Sequence, residues 1–174
     1  MEESIVIGGG CFWCIEALFT NVNGVAEVIS GYAGGDSENP SYDQVSAGVT
    51  GHAEVIKVSF NNDIIGLETI LEVFLAVHDP TTPNRQGTDE GTQYRSIILY
   101  NNTNQKIIAL KAIETMQNFW QDKIVTEVEK LGTFYPAEDY HQNYFKNNPE
   151  NAYCQVVINP KLAKFKKDFA KLLR

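Results

Sequence analysis

Cys11 and Cys14, two cysteines separated by two residues, are the residues of this chain best suited to chemistry. A β-branched run (residues 5–7) and three glycines (residues 8–10) precede them, and apolar residues at helical spacing follow. This order predicts a strand, a tight turn and a helix. The Cys11 sulfur then lies at the helix N-terminus, where free amides and the helix dipole favour a thiolate. Phe12 and Trp13 place two apolar rings beside this sulfur. The segment therefore predicts a catalytic nucleophile.

Other uses of this segment have weaker support. Three glycines can hold a phosphate, but the segment lacks the glycine spacing of dinucleotide sites and the lysine of phosphate-binding loops. Cys154 is the only further cysteine, so the chain has no second cysteine pair for a zinc site. Cys154 and a histidine could nevertheless supply the two remaining ligands of such a site. Thioredoxin-like disulfide exchange is the strongest alternative, because two cysteines spaced in this way at a helix start are its signature.

A carboxyl group in an apolar strand is the second candidate. The run from His52 to Phe60 alternates as a strand does, and Glu54 is in phase with Ile56 and Val58. A carboxyl that faces a core has a raised pKa and stays protonated near neutrality, as a general acid must. The alternative is a frayed strand end with Glu54 in water, and the phase alone does not decide between the two.

A long polar connection runs from Asp79 to Tyr94 and includes two glycines and two prolines. Loops of this length in compact proteins are usually functional or disordered. Asp89 and Tyr94, together with Tyr42, are therefore candidate hydrogen-bonding groups around a polar ligand, although each alone is typical of a surface residue. Asp79 and Asp89 belong to no spaced set of oxygen ligands, so we expect no metal site.

The three histidines are less informative than the cysteines. His78 lies on the apolar stripe of a predicted helix, which indicates a core residue. His52 and His141 could each pair with a cysteine to form a thiol–imidazole nucleophile, but their spacing does not favour it.

The spacing of apolar residues predicts the strands and helices that position these groups. Strands are predicted at residues 4–8, 25–32, 52–60 and 94–100, with helices at residues 11–19 and 67–78 between them. The order βαββαβ predicts an α+β fold with a ferredoxin-like core, whose helices lie on one face of the sheet. A helix capped by Thr103 that runs to Trp120 and a weaker strand at residues 124–130 would add to this core.

The C-terminal part is expected to wrap the core. Asn159 and Pro160 predict an N-cap followed by proline at the first helical position, and an apolar stripe along the following helix would dock it. The asparagine-rich residues 143–151 predict a mobile segment just before Cys154.

Length and composition set broad limits on function. At 174 residues and 43% apolar content, we expect one domain spanning residues 1–174. A net charge of -8 argues against nucleic acid as a partner. No apolar run is long enough for a membrane span and the N-terminus lacks a basic start, so we expect no membrane partner and a cytoplasmic protein. We also expect a monomer. In a reducing compartment cysteines are more often reactive than structural.

The motifs resemble those of the peptide methionine sulfoxide reductase A family. The matching segments run in order through nearly the whole chain: Gly10-Cys11-Phe12-Trp13, Gly31-Tyr32-Ala33-Gly34-Gly35, Asn39-Pro40-Ser41-Tyr42, Gly51-His52-Ala53-Glu54, His78-Asp79-Pro80-Thr81, Arg85-Gln86-Gly87-Thr88-Asp89, Gly91-Thr92-Gln93-Tyr94-Arg95-Ser96, Tyr135-Pro136-Ala137-Glu138-Asp139-Tyr140-His141-Gln142 and Tyr153-Cys154. Two positions vary within the resemblance. Thr88 stands where the family more often has asparagine, and Cys14 stands where many members have glycine.

The resemblance implies an α/β two-layer roll and reduction of the S epimer of methionine sulfoxide, free or in proteins, as repair after oxidative damage. It implies that Cys11 is the nucleophile and that Glu54 protonates the sulfoxide oxygen. Attack leaves a sulfenic acid on Cys11, which a second thiol condenses to a disulfide. No cofactor is required, since an external dithiol, thioredoxin in the family, reduces that disulfide.

The resemblance also assigns the residues around the substrate. Tyr42, Asp89 and Tyr94 would line the oxygen side of the pocket, and Phe12 with Trp13 would hold the methyl group. Cys14 and Cys154 both occupy positions that serve as resolving cysteines in different members. Proximity favours Cys14 as the first to react, because a fixed neighbour closes faster than a tethered chain end; Cys154 would then take over the bond.

Overall fold

A six-stranded sheet is the centre of the fold in the computed structural model, which describes residues 1–174. The strands are β1 (Glu2–Gly8), β2 (Val25–Ala33), β3 (Ala53–Asn61), β4 (Arg85–Gln86), β5 (Asp89–Glu90), β6 (Ile97–Tyr100), β7 (Glu127–Lys130) and β8 (Tyr135–Pro136). The helices are α1 (Phe12–Phe19), α2 (Tyr42–Ser46), α3 (Leu67–Val77), α4 (Thr103–Met116), α5 (Tyr144–Asn147) and α6 (Asn159–Asp168). None of these helices has the length and hydropathy that a membrane span requires.

The strand order across the sheet is β7-β6-β1-β3-β2-β8, and β4 and β5 form a separate hairpin. Only the pair β6–β7 is parallel. The four central strands, with α1 after β1 and α3 after β3, have the order expected of a ferredoxin-like core. The prediction of an α+β fold on a βαββαβ framework is therefore confirmed.

Alternation along the strands decides which face carries the helices. In β1, Ile5 and Ile7 join a large buried cluster that contains residues of α1, α3 and α4. Val6 points to the other face and joins a smaller cluster, against which Leu131 and Phe134 pack. Because successive side chains of a strand point to opposite faces, the helices cover one face of the sheet and the connection after β7 covers the other.

Some predicted boundaries differ from the observed ones. The fourth strand begins at Ile97, because residues 92–94 form a 3₁₀ turn that precedes it. The cap of α4 is Asn102, whose side chain accepts the Gln105 amide hydrogen; Thr103 is the first helical residue. That helix ends at Met116 and a 3₁₀ turn continues to residue 119, one residue short of the predicted end.

The C-terminal helix begins differently from the prediction. Asn159 is not an N-cap, because the chain is already helical from Cys154: residues 154–158 form a π-helical turn that runs directly into α6. Pro160 has no amide hydrogen with which to continue a regular helix, and such wide turns accommodate that loss. The C-terminal part does wrap the core as expected, since Phe165 is buried in the main cluster and the Asn23 amide donates to the Leu172 carbonyl at 2.7 Å.

Candidate active site

Cys11 lies at the start of α1, as the sequence predicted. It is the N-cap residue, with φ −60° and ψ 127°, and its side chain is half-buried. The preceding residue, Gly10, has φ +97°, and a Cβ there would approach Gln86 to 2.7 Å, so the turn into the helix requires glycine.

The expected thiolate at Cys11 is not what the site favours. Burial raises the pKa of the Cys11 thiol well above its ordinary value, with further increases from Cys14 and Glu54. The Trp13 amide at the helix start lowers this pKa, but by less. Desolvation of the Cys11 sulfur outweighs the effect of one amide and the helix dipole, so the site favours the thiol and not the expected thiolate.

Glu54 is buried against the same helix start. Its side chain is 1% exposed, which excludes the frayed-strand alternative, and Glu54 pairs with Tyr32 in the register of β2 and β3. Glu54 Oε1 accepts the Phe12 amide hydrogen at 3.1 Å. Burial raises the pKa of this carboxyl to about 8, although the Phe12 hydrogen bond lowers it. A neutral carboxylic acid therefore lies next to the residue that follows Cys11.

The side chains of two tyrosines lie near Cys11 and Glu54. Tyr42 is the first residue of α2, which Ser41 and Gln44 begin with a capping box, and Tyr94 ends the 3₁₀ turn before β6. Burial raises the pKa of both hydroxyls, and Glu54 and Cys11 raise it further. Both tyrosines are therefore neutral hydrogen-bond donors close enough to Glu54 and Cys11 to respond to their charges.

Asp89 reaches the site from the β4–β5 hairpin, in which Gln86 pairs with Asp89 and Gly87 has φ +59° in the connecting turn. Its Oδ2 accepts the Tyr153 hydroxyl at 3.0 Å, and that hydroxyl lies 3.6 Å from Cys14 Sγ. Asp89 and Tyr153 thus connect the polar loop to the C-terminal part of the chain beside the cysteines.

The aromatic residues after Cys11 have different environments. Phe12 is fully buried between Tyr32 and His141, with ring centroids at 5.7 and 5.1 Å. Trp13 is half-buried; it stacks on Tyr144 with centroids 3.7 Å apart and meets Tyr153 edge-on at 5.9 Å. The two rings form an apolar region next to Cys11, but only Trp13 retains exposed surface.

All three cysteines are free thiols in one region. Cys14 and Cys154 belong to the same buried cluster, against which Cys11 packs. The Cys11 thiol, followed by Lys161 and Tyr153, lowers the pKa of Cys14 to about 7, while burial raises the pKa of Cys154. Cys14 is therefore the cysteine with substantial thiolate character near neutral pH.

The histidines do not pair with a cysteine. His52 accepts the Gly35 amide hydrogen at 2.9 Å and contacts the Ser37 carbonyl, while His141 accepts the Trp13 indole hydrogen at 3.0 Å. His78 is the buried core residue that the sequence predicted; its Nε2 lies 2.7 Å from Ser96 Oγ.

Sequence reasoning missed three supporting carboxyl and amide groups. Glu138 accepts the Tyr32 hydroxyl at 2.8 Å and the Tyr42 amide at 2.9 Å. Gln142 bonds both backbone groups of Ser30, at 2.9 and 2.8 Å. Glu16, buried in α1, accepts the Tyr144 amide and the Ser30 hydroxyl. The polar motif at residues 135–142 was the available signal for Glu138 and Gln142, but local spacing does not show which residues these two contact.

Comparisons with known proteins agree on one family. A family model described as peptide methionine sulfoxide reductase matches residues 3–173. The chain is 54% identical over 174 residues to the peptide methionine sulfoxide reductase MsrA of Nitratiruptor sp., with 100% of both chains covered. Mxr1 of Saccharomyces cerevisiae in its reduced form is structurally similar, with a TM-score of 0.84, 37% identity and coverage of 88% and 89%. Mxr1 in complex with Trx2 matches with a TM-score of 0.60, 28% identity and coverage of 82% and 84%.

Proposed function

Because this chain belongs to the peptide methionine sulfoxide reductase family, we propose that Cys11 attacks the sulfur of methionine sulfoxide and that Glu54 protonates its oxygen. The reaction is reduction of methionine sulfoxide to methionine, with the S epimer as substrate. The observation that carries the assignment is the contact at the start of α1: a buried, protonated carboxyl bonds the amide of the residue after Cys11 at 3.1 Å.

The first step uses both groups. A sulfoxide sulfur is a poor electrophile until its oxygen gains a proton, and Glu54 supplies that proton. The Cys11 sulfur bonds to the substrate sulfur, and the Cys11 proton returns to the Glu54 carboxylate. The oxygen then passes to Cys11 as a sulfenic acid and methionine leaves. A raised pKa at Cys11 suits this order, because the thiol loses its proton only when the carboxylate is ready to accept it.

The surrounding residues bind the substrate in this proposal. Tyr42 and Tyr94 donate hydrogen bonds to the sulfoxide oxygen, and Asp89 lines the same side of the pocket. Trp13 offers its exposed apolar surface to the methyl group, and the buried Phe12 ring adds to the same apolar region. The neutral hydroxyls and the apolar region next to Cys11 support these roles.

Cys14 resolves the sulfenic acid. Its thiol loses a proton and attacks the Cys11 sulfur, a disulfide forms, and the hydroxide that leaves takes up a proton to become water. The two thiols thus supply the two electrons that the sulfoxide consumes. Cys14 lies one helical turn from Cys11, which favours rapid closure of a disulfide between them. In the reduced protein the hydrogen bond with the Cys11 thiol also lowers the pKa of Cys14 to about 7. Cys154 lies in the same cluster and exchanges into the bond next.

A thioredoxin then reduces the disulfide, a role that the complex of Mxr1 with Trx2 supports. We further propose that residues 1–174 act as one reductase domain, as a monomer and in the cytoplasm. Three free cysteines, two of them buried, support a reducing location.

Consumption of each methionine sulfoxide epimer with dithiothreitol as reductant tests the proposal. We expect turnover of the S epimer only. A general disulfide oxidoreductase that uses Cys11 and Cys14 would reduce disulfides and would not depend on Glu54. A sensor of oxidised methionine would bind the substrate without turnover. Either of these results would contradict the proposed reaction.

A further inference from the structure

Arg95 donates hydrogen bonds to backbone carbonyls in separate segments of the chain. Its Nη1 donates to the Thr92 carbonyl at 2.8 Å, and its Nη2 donates to the carbonyls of Gly51 and Gly34 at 2.9 and 3.4 Å. Only 12% of the Arg95 side chain is exposed. The guanidinium group therefore joins the 3₁₀ turn before β6 to both ends of the connection between β2 and β3.

That connection, residues 34–52, is a loop whose two ends lie together. Gly34 follows the last paired residue of β2, and Gly51 lies two residues before the first paired residue of β3. Their φ values of +90° and +75° turn the chain out of the strand ladder, in a conformation that favours glycine. Both carbonyls accept from Arg95, which therefore closes the base of the loop, defined as Gly34 and Gly51.

The segments that Arg95 joins carry the two tyrosines of the candidate site. Tyr42 begins α2 within the loop, and Tyr94 directly precedes Arg95. A second contact joins the same segments, since Gln93 Nε2 donates to the carbonyl of Ser46, the last residue of α2, at 3.2 Å. The positions of the two phenols relative to each other thus depend on contacts on either side of Tyr94.

These contacts require an arginine. A guanidinium group has five donors in fixed directions, whereas a lysine has one nitrogen at the end of a flexible stem. The Arg95 Nε also donates to Glu127 Oε2 at 2.9 Å, but the Glu127 side chain is 48% exposed, and such ion pairs contribute little to stability. The bonds to the three carbonyls are therefore the contribution that the guanidinium group alone can make.

We propose that Arg95 is a positioning residue: by bonding the base of the loop to the turn of residues 92–94, it holds Tyr42 and Tyr94 at the spacing that brings both hydroxyls to the sulfoxide oxygen. This inference rests on the proposed function. Arg95 does not contact the substrate in this scheme. Its effect is exerted on the step in which the oxygen takes up a proton, and not on apolar binding of the methyl group.

Two substitutions separate the shape of the side chain from its charge. Arg95→Met keeps an unbranched stem and removes every donor. We expect the maximal single-turnover rate of methionine release to fall about tenfold, since small displacements of positioning groups are costly, while the half-saturating sulfoxide concentration changes less than about twofold. Arg95→Lys keeps the charge and should lose nearly as much. A Lys variant as fast as wild type would show that charge suffices and would overturn the proposal.

Glu127→Gln is the matched control. It removes the ion pair, keeps an acceptor for the Arg95 Nε and leaves the bonds to the three carbonyls intact. We expect its single-turnover rate to stay within about twofold of wild type, as for an exposed ion pair. A loss equal to that of Arg95→Met would assign the effect to the ion pair and contradict the proposal.

A double-mutant cycle tests whether the effect passes through the loop tyrosine. Tyr42→Phe removes the hydroxyl that the loop places. In that background Arg95→Met should lower the single-turnover rate at most about twofold, because the misplaced group is already absent. An equal loss in both backgrounds would contradict the proposal.

Hydrogen–deuterium exchange tests the contact without any activity. The Asp36 amide donates to the Thr50 carbonyl at 3.3 Å near the base of the loop. In Arg95→Met we expect amides of residues 34–52 to exchange about tenfold faster, and those of α3, which reports on the overall fold, to be unchanged. Unchanged exchange in the loop, or an equal rise in α3, would refute the positioning role. Absence of sulfoxide turnover in the wild-type protein would refute the proposed function instead, so the two failures are distinguishable.

Discussion

At the scale of single residues, the chemistry depends on where two protons reside. Burial raises the pKa of both Cys11 and Glu54, so that the free site holds a thiol and a carboxylic acid. At neutral pH a glutamate in water is ionised, whereas a cysteine in water is already mostly a thiol. Burial therefore changes the protonation state of Glu54 and reinforces that of Cys11. In the proposed mechanism the site therefore keeps a protonated general acid, and the thiol at Cys11 becomes a reactive thiolate only when the substrate binds.

Substitution of the nucleophile should abolish the first turnover. In Cys11→Ser we expect no methionine release, because only Cys11 is at the N-cap of α1 and at the position of the family's nucleophile. Cys14→Ser and Cys154→Ser serve as matched controls and should each release about one equivalent of methionine without reductant. Rapid quench and quantification of methionine measure this. Stoichiometric release by the Cys11 variant would exclude the mechanism.

Glu54→Gln should slow sulfenic acid formation about 10²–10⁴-fold, since the amide can accept the Phe12 hydrogen bond but cannot deliver a proton. In the wild-type protein the single-turnover rate should fall as pH rises through about 8, where Glu54 loses its proton. The Gln variant should lack this fall, and Cys154→Ser should retain it. A Gln variant as fast as wild type would make Glu54 a structural residue.

At the scale of elements, the connection from β8 to α5 holds the substrate-side residues in place. It follows β8 along the edge of β2 and contacts β2, α1 and α2 through Gln142, His141 and Glu138. The Tyr42 amide and the hydrogen bond from the Tyr32 hydroxyl lower the pKa of Glu138, against an increase from burial. The ionised carboxylate can therefore accept from both residues at once.

Glu138→Gln should misplace Tyr42. The amide retains one acceptor oxygen, so one of the two donors loses its partner, and we expect kcat to fall about three- to tenfold. In a Tyr42→Phe background the same change should cost less, because the two residues act through one contact. Asp139→Asn, an exposed neighbour, is the control. Additive effects of Glu138 and Tyr42 would argue against this positioning.

The positions of Cys14 and Cys154 in the helices predict which of them forms the first disulfide with Cys11. Cys14 is one turn along α1 from Cys11, within the range that a disulfide tolerates, whereas Cys154 is held in a π-helical turn. We expect the Cys11–Cys14 bond to form first after one equivalent of sulfoxide without reductant. Peptide mapping at short times measures this. A Cys11–Cys154 bond that forms at the full rate in Cys14→Ser would assign first resolution to Cys154.

At the scale of the whole molecule, buried carboxyls reduce stability. Glu54 and Glu16 are both buried, and burial raises the pKa of each. Between the unfolded pKa of a glutamate and the folded value of Glu54, the native state binds more protons than the unfolded state. Stability therefore falls as pH rises through this range. Glu54, the proposed general acid, therefore weakens the fold at neutral pH.

Glu54→Gln should consequently be more stable than the wild-type protein. The gain in free energy of unfolding should be small near about pH 4 and reach about 2–4 kcal/mol near about pH 8, where folding of the wild-type protein requires Glu54 either to take up a proton that the unfolded chain has lost or to bury its charge. Urea unfolding at both pH values measures it. Glu114→Gln, on the exposed side of α4, is the control and should change stability little. A gain independent of pH would contradict the link to ionisation.

The pattern of residue types over short stretches of the sequence determined much of the secondary structure and its order. The strand, glycines and helix around Cys11, the inward phase of Glu54 and the βαββαβ order all follow from alternation, helical spacing and turn chemistry within a few residues. These local preferences report which face of an element is buried. They also allowed errors at boundaries, such as Asn159, where a preceding helical turn removed the need for a cap.

Only the tertiary structure decided which distant groups meet and which protonation states result. His141 accepts from Trp13, Glu138 from Tyr42, and Asp89 from Tyr153 across 128, 96 and 64 residues. Spacing along the chain does not encode such pairs, because they depend on how packed elements align. The thiol form of Cys11 has the same origin: its pKa reflects the summed burial by all surrounding elements, and that sum exceeds the local effect of one helix terminus.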